Sequence, residues 1–434
     1  MVRRQIPCLF VTALIFHLVA ACSAHAQGVL LSASGPINRS MGGAATAAPL
    51  DAIGALRWNP ATISGLACSE LAFGADLVFP LIEVDSSIQG VAFGSTAAQP
   101  GVTVVPTVGW VHHCEDSPLT IGLGVMGVAG FRTNYPASLT NPVLLPQSNT
   151  PGVPGGLGRI YTSAQFLDIT PTVSWAVNES WSIGVSPIIT LGEVVVDPLV
   201  IAPPDDADGS GQARYSTAAG GQMQWGAGAQ FGVYYIANEA WRWGASLRTP
   251  SWMQAGQYLS QDELGNPKSV RFAWDLPLVV SGGVSYAGIA STLIALDVRY
   301  IDYSHASGWG DSGFAPNGAL RGLGWNSVMA LALGAQREVT DNLTMRAGYT
   351  YNGNPTPSEL TVINVASPLH YQHQLSAGGS YRLAPNVSLN MAYTYYLPHS
   401  ITGPLATAAG PIPGTSVTST ESVHLLTMGV GVNY

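Results

Sequence analysis

From Val387 to Tyr395 the chain alternates with a period of two: Val387, Leu389, Met391, Tyr393 and Tyr395 fall on one side, Ser388, Asn390, Ala392 and Thr394 on the other. That is a β-strand whose two faces meet different surroundings. The pattern recurs down the chain. Leu343, Met345, Ala347, Tyr349 and Tyr351 alternate with Thr344, Arg346, Gly348 and Thr350. Trp241, Trp243, Ala245 and Leu247 alternate with Arg242, Gly244, Ser246 and Arg248, and Leu119, Ile121, Leu123 and Val125 with Thr120, Gly122 and Gly124. In a soluble sandwich the large apolar face covers a core and the exposed face is charged. Here the second face is small and glycine-rich, and only 9% of the 434 residues are charged against 47% hydrophobic. A soluble surface carries roughly a quarter or more charged residues. Large residues facing lipid and small residues filling a lumen satisfy both faces, since Arg or Lys on a lipid face costs about 2–4 kcal/mol at the bilayer midplane.

Helices do not offer another route across a membrane. Beyond the first two dozen residues, Gly, Pro or polar residues interrupt every apolar run before the ~20 positions a spanning helix needs. A closed barrel is the remaining spanning structure, because each backbone donor pairs with a neighbouring strand. Connections agree. Short polar turns at Glu115–Ser117, Asn178–Ser180, Ala237–Glu239, Ala287–Gly288, Thr340–Asp341 and Ala384–Pro385 alternate with long segments rich in Gly, Pro, Asn and Ser, such as Thr133–Arg159, Asp197–Gly220 and Ser304–Gly322. The count predicts an all-β fold, a transmembrane antiparallel β-barrel of about 14 strands running from near Glu70 to Tyr434. The final strand, with Leu426, Met428, Val430, Val432 and Tyr434 on its large face, ends on an aromatic residue and looks like the signal read by outer-membrane barrel-assembly machinery. A net charge of −9 with a single lysine, Lys268, excludes nucleic acid as a partner.

The start of the chain reads as an export signal. Arg3 and Arg4 precede an apolar stretch from Cys8 to Ala21, and Ala24-His25-Ala26 supplies the small-x-small cleavage pattern. The predicted division is a signal peptide over 1–26, an N-terminal element over 27–66 and the barrel over 67–434. A rival motif, Val19-Ala20-Ala21-Cys22, resembles a lipoprotein box that would lipidate Cys22 instead of removing it.

Residues 27–66 fit no lipid-facing pattern. They contain Ser34-Gly35-Pro36-Ile37-Asn38-Arg39-Ser40-Met41-Gly42-Gly43-Ala44-Ala45 and then Trp58-Asn59-Pro60-Ala61, small residues and an Asn-Pro turn suited to packing against protein. This stretch resembles the N-terminal hatch of the FadL/TodX family, outer-membrane transporters of long-chain fatty acids and hydrophobic aromatic compounds. Val105-Pro106 with Gly109–His112, Thr120–Val125, Asn178–Gly184, Asn342–Tyr349 and Ser376–Tyr381 resemble further strands of the same family, so the resemblance covers nearly the whole exported chain. It implies a fourteen-stranded barrel plugged by a hatch, with Gly42, Gly43, Asn59, Pro60 and Ala61 in the hatch or its gating. It also implies passive transport of a hydrophobic small molecule between the outside, the lumen and outer-membrane lipid. A kink in the third strand gives that family a lateral exit. The matching stretch here, Gly127-Val128-Ala129-Gly130-Phe131, lacks the family's proline, but Gly127 and Gly130 still allow a bend or bulge; the same glycines also suit plain lumen packing.

Four arginines, Arg242, Arg248, Arg299 and Arg346, fall on the predicted lumen face, with Asp297 beside Arg299. Each can pair with a substrate carboxylate or with a carboxylate of the protein, holding hatch to wall; the second use is the commoner one. Cys68 and Cys114 end neighbouring predicted strands in an oxidising compartment, which leaves disulfide and free thiols both open. His112 and His113, and likewise His370 and His373, are expected to face opposite sides of a strand, so no metal site is predicted. No cofactor motif and no Ser/His/acid spacing indicates catalysis. An outer-membrane lipase and a general diffusion porin are the alternatives to transport: the first needs a converging serine and histidine, the second a lumen without a hatch.

Overall fold

The computed structural model describes residues 27–434 other than 152, 154, 219, 222 and 408. The predicted signal peptide, its cut and Cys22 lie outside the described residues. Fourteen strands form the wall: β1 Glu70–Ile88, β2 Thr103–His113, β3 Leu119–Tyr135, β4 Ile160–Ala176, β5 Trp181–Asp197, β6 Met223–Ile236, β7 Trp241–Arg248, β8 Leu278–Ile289, β9 Thr292–Asp302, β10 Val328–Thr340, β11 Leu343–Asn352, β12 His373–Ala384, β13 Val387–Gly403 and β14 Thr415–Asn433. Each pairs antiparallel with its neighbours, and β14 returns to β1 in register from Glu70↔Asn433 to Ile88↔Thr415, closing the barrel. The short turns fall at one end with both termini of the barrel, and the long loops at the other.

Alternation sets the inside and outside of this wall. Along β13, Leu389, Met391 and Tyr393 are exposed while Asn390, Ala392 and Thr394 are buried. Trp175, Trp181, Trp241 and Trp243 stand on the outer face near the short-turn end, where amphipathic rings favour a membrane interface. Charge on the outer face is sparse: Glu83 and Glu193 near the long-loop end and Arg337 and Arg382 near the short turns are exposed strand residues, outside the middle of the lipid band.

The N-terminal segment sits inside the barrel. It contains α1 Pro36–Ser40, α2 Ala52–Trp58 and a 3-10 turn Pro60–Gly65, nearly all of it buried. Helices this short are marginal alone in water; here they are held by caps and by the wall. Asp51 accepts a hydrogen bond from the Gly54 N–H at 3.2 Å, and Asn59 accepts one from the Ala61 N–H at 3.1 Å, which makes the Trp58-Asn59-Pro60-Ala61 stretch a helix end and a new start in four residues.

Two expectations meet particular outcomes here. Cys68 and Cys114 are free thiols; continuing the β1–β2 register places Cys68 opposite His113, one step out of phase with Cys114. His370 is in the loop before β12, and its ring lies against His399 and Ser419 at 3.2 Å each, where the strand reading had put it on β12 opposite in face to His373. The strand begins only at His373, because Glu421 holds the backbone N–H groups of His370 and Tyr371 and keeps them out of the ladder.

Candidate functional site

The wall is interrupted between β2 and β3. β2 and β3 pair only from Thr107↔Met126 to His113↔Thr120. Above that, Thr103–Pro106 pair with β1 alone, and β3 pairs with β4 alone up to Tyr135↔Ile160. Between the two edges β3 bulges: its register against β4 shifts between Gly127 and Ala129, leaving Val128 as the extra residue. A bulge of one residue reverses which face each later side chain takes. Below it Thr120 and Met126 face the lumen; above it Thr133 and Tyr135 do, and Phe131 turns inward with them. At Gly130 a Cβ would stand 2.6 Å from the Ala164 carbonyl, so the close approach of β4 requires glycine there. The predicted kink residues therefore stand together at a bulge formed without proline.

The freed edge of β3 is taken by the start of the N-terminal segment. Leu31 N–H donates to the Val128 carbonyl at 2.9 Å, and Gly130 N–H donates to the Val29 carbonyl at 3.1 Å. Arg57 on α2 reaches the same place, donating through Nη2 to the Val128 carbonyl at 3.3 Å. Burial, then the like charge of Arg248, lowers the Arg57 pKa to about 9. Two tyrosines fix the segment from the loop side: Tyr303 donates to the Gln27 carbonyl at 2.5 Å, and Tyr371 to the Gly28 carbonyl at 3.2 Å.

A cavity of about 300 Å³ opens at this interruption. Its inner part is lined by Val78, Ile82, Leu425, Tyr371 and Tyr396 on the lumen side; its outer part by Gln165, Glu193 and Met223, which are exposed on the outside of the wall. Leu31, Gly127, Gly130 and Phe131 lie along it between the two. The cavity thus passes from the lumen to the outer face through the gap between β2 and β3, and its lining is mainly apolar.

The other predicted residues lie around the N-terminal segment, away from this cavity. Gly42 and Gly43 have positive φ (63° and 86°), and a Cβ at Gly42 would stand 2.9 Å from the Tyr349 nitrogen on β11. Asn59 donates from Nδ2 to the carbonyls of Thr46 (2.8 Å) and of Val233 on β6 (3.0 Å). Pro60 and Ala61 press against Gly184 of β5. Of the four lumen arginines, Arg248 pairs with Asp168 at 2.6 Å and Arg299 with Asp297 at 2.8 Å. Arg299 also donates to the Gly43 carbonyl and lies 3.4 Å from the centre of the Trp58 ring. Arg346 donates to Gln336 (2.6 Å) and Ser380 (2.7 Å), and Arg242 is half-buried near the short-turn end. None of the four lines the cavity. Tyr434 accepts a hydrogen bond from the Trp110 indole at 2.6 Å on the outer surface.

Several residues at the cavity were not singled out by sequence: Leu31, Tyr371, Tyr396 and Glu421. A partial signal was available on β14, where Val423 and Leu425 place apolar side chains on the lumen face. On the loop after β9, Asp302 and Ser304 both approach the same nitrogen, Nδ1, of exposed His305, so this trio lacks the two-sided geometry of an acid–base relay. Among the described residues no group of three or more His, Cys, Asp or Glu is placed to hold a metal ion.

A closed antiparallel barrel of fourteen strands with a lipid-facing apolar band, an occupied lumen and a gap in its wall defines an outer-membrane barrel protein of the bacterial type. The family model described as outer membrane protein transport protein (OMPP1/FadL/TodX) matches residues 17–434, and the chain belongs to that family. Its fold is similar to that of the toluene transporter TodX of P. putida (14% identity, 93% of this chain and 99% of that chain, TM-score 0.67). It is similar also to a FadL homologue of Pseudomonas aeruginosa (15% identity, 94% and 99%, TM-score 0.70) and to the toluene transporter TbuX of Ralstonia pickettii (16% identity, 93% and 99%, TM-score 0.63). By sequence comparison no curated protein matches the chain.

Proposed function

We propose that this protein is a passive route by which small hydrophobic molecules cross the outer membrane, through the lumen cavity and sideways through the gap beside the β3 bulge. The observation that carries this reading is the continuity of one apolar cavity from lumen to outer face at Gly127–Phe131. A hydrocarbon gains about 0.8 kcal/mol for each methylene removed from water, so a dry passage that ends in lipid suits it and a water-filled pore does not. Residues 27–66 act as the hatch, and their first residues, paired with the freed edge of β3, close the passage. Monoaromatic hydrocarbons and long-chain fatty acids are the substrate classes the family similarity brings to this chain.

The test is saturable binding of a fluorescent long-chain fatty acid to the purified protein in detergent, competed by toluene-like aromatics and by a soluble sugar. Displacement by hydrophobes alone is expected, with no steady ion conductance in planar bilayers and no hydrolysis of phospholipid. Gly130→Val should then cut uptake at least about 10-fold, because its side chain cannot stand against β4 without closing or distorting the bulge, while the heat-modifiable barrel band persists. Absent binding with steady conductance would mean a porin; hydrolysis would mean a lipase. Tyr434 and its strand serve, on the same reading, as the signal for the assembly machinery, so deleting Tyr434 should lower the yield of folded barrel without changing binding by the molecules that do assemble.

A further inference from the structure

The first residue of the enclosed N-terminal segment carries polar groups that nothing satisfies. Gln27 is 0% exposed, and both polar atoms of its side-chain amide, Oε1 and Nε2, lack a hydrogen-bond partner. Its main chain is held by the loops instead. The Tyr303 hydroxyl donates to the Gln27 carbonyl and accepts from the Leu30 N–H at 3.2 Å, and the Tyr371 hydroxyl donates to the Gly28 carbonyl. Gly28 has a φ of 61°, and a Cβ there would stand 2.8 Å from both Trp325 and Tyr303. The chain therefore enters this corner pressed between two rings set edge to face, 5.1 Å apart. The hydrogen bonds made by residues 27–31 go to backbone groups and tyrosine hydroxyls; among the described residues no carboxylate pairs with them.

The export cut read between Ala26 and Gln27 makes Gln27 the first residue of the exported chain. Its α-amino group, ordinarily an ammonium at neutral pH, is then enclosed one residue from the rings at Gly28, beside an amide that has no partner of its own. An unpaired charge taken out of water is costly, and burial favours the neutral amine, which is the nucleophilic form. We propose that Gln27 is a modification site: its α-amine closes on its own side-chain amide, and the exported chain begins with pyroglutamate. The amine nitrogen bonds to Cδ, the Cδ–Nε2 bond breaks, and Nε2 leaves as ammonia carrying the proton that the amine gives up. This amide exchange uses no oxidant, reductant or co-reactant. It also needs no enzyme to reach an enclosed side chain, because both reacting groups belong to one residue. Closure removes the charge and the unsatisfied Nε2 together, and a neutral ring begins the segment whose Val29 and Leu31 pair with the β3 bulge. The inference goes beyond hydrophobe uptake and is independent of it.

The test is to digest protein purified from outer membranes and weigh its N-terminal peptide, with an isotope-labelled synthetic peptide of the same sequence, beginning at Gln27, carried through the same handling. The protein's peptide is expected to be lighter by one ammonia than a peptide beginning with open Gln27. It should resist stepwise N-terminal sequencing and open at Gly28 after treatment with pyroglutamyl aminopeptidase, while the synthetic peptide stays open. A free α-amine on Gln27, a chain that begins at another residue, or equal closure of the synthetic peptide overturns the proposal. Gln27→Asn keeps an amide but could close only a smaller, strained ring, so its amine stays free. In that variant the Leu31 and Gly130 amides should exchange about 10-fold faster than in the unaltered barrel, with the heat-modifiable band reporting that the barrel has folded. Equal exchange, with the variant's amine shown to be free, would mean that the rings at Gly28 hold an ammonium at no cost, and it overturns the reason given for closure.

Discussion

The N-terminal segment meets the wall in two different ways. Residues 36–65 touch strands on every side of the barrel through small residues and short polar links. Gly348 approaches Gly42 and Gly244 approaches Thr46 so closely that no Cβ fits between them. Asp297 accepts from the Ala45 N–H (2.9 Å), the Thr46 N–H (3.0 Å) and the Thr46 hydroxyl (2.8 Å); Ser246 donates to the Trp58 carbonyl at 2.6 Å and Ser285 to the Ala47 carbonyl at 2.7 Å. Residues 28–31, by contrast, are held against the wall by two ladder bonds to the β3 bulge and by loop tyrosines. Many buried links of high cost to break make a fixed floor. Two ladder bonds beside an apolar cavity, with the tyrosine links, make a smaller contact. The glycine-rich lumen face therefore does two things: below it seats the hatch, and at the bulge it opens the wall.

Asp297→Ala is the strongest way to break that contrast. It deletes the acceptor of three hatch bonds and leaves Arg299 buried without its carboxylate, a change that costs about 3–5 kcal/mol. The expected result is protease cleavage within residues 27–66 and steady ion conductance, with the barrel still heat-modifiable. A hatch that stays protected would show that glycine-mediated packing, and not this polar node, fixes the floor.

Asn59→Ala is the next in size. The side chain donates to Thr46 and Val233 and caps the 3-10 turn, and losing a cap with these buried bonds costs about 2 kcal/mol. Hydrogen exchange over residues 58–63 should rise and uptake change, while barrel assembly is unaffected. Loss of the folded barrel band would mean that the turn serves the wall as much as the hatch.

The wall was legible in the sequence because lipid enforces a strict rule on every second residue. Leu389, Met391 and Tyr393 announce their outward face without reference to anything distant. The compact packing of the N-terminal segment was legible through Pro36, Gly42-Gly43 and Asn59-Pro60, local signals of caps and close approach. The cavity was not, since it depends on which strands fail to pair. Gly127 and Gly130 announce a bend in β3, but only the structure shows that β2 stops pairing at Met126 and that Leu31 takes the vacant edge. The arginines show the same limit from the other side. Parity put Arg248, Arg299 and Arg346 in the lumen, where they are, and set Asp297 beside Arg299 on one strand, yet Asp168 and Gln336, the partners of Arg248 and Arg346, come from registers that one strand's sequence does not encode.

The smallest expected effect is one of pH, and it probes the floor alone. Asp51 caps α2 but is enclosed at the bottom of the hatch, and burial, partly offset by the Gly54 N–H, raises its pKa to about 6. An acid whose pKa is higher folded than unfolded binds protons more readily in the docked state, so docking gains stability as the pH falls through about 6 and loses it as the pH rises. Glu70 stands on the same side, its Oε2 accepting the Ala52 N–H at 2.7 Å. Amide exchange over residues 52–58 should therefore be slower at pH 5 than at pH 7.5 after correction for intrinsic rates, and Asp51→Asn should flatten that difference. The Leu31 and Gly130 amides at the bulge contain no titrating partner in their ladder bonds and serve as the internal reference. If they follow the same pH profile as α2, floor and gate move as one unit and the contrast between them is lost.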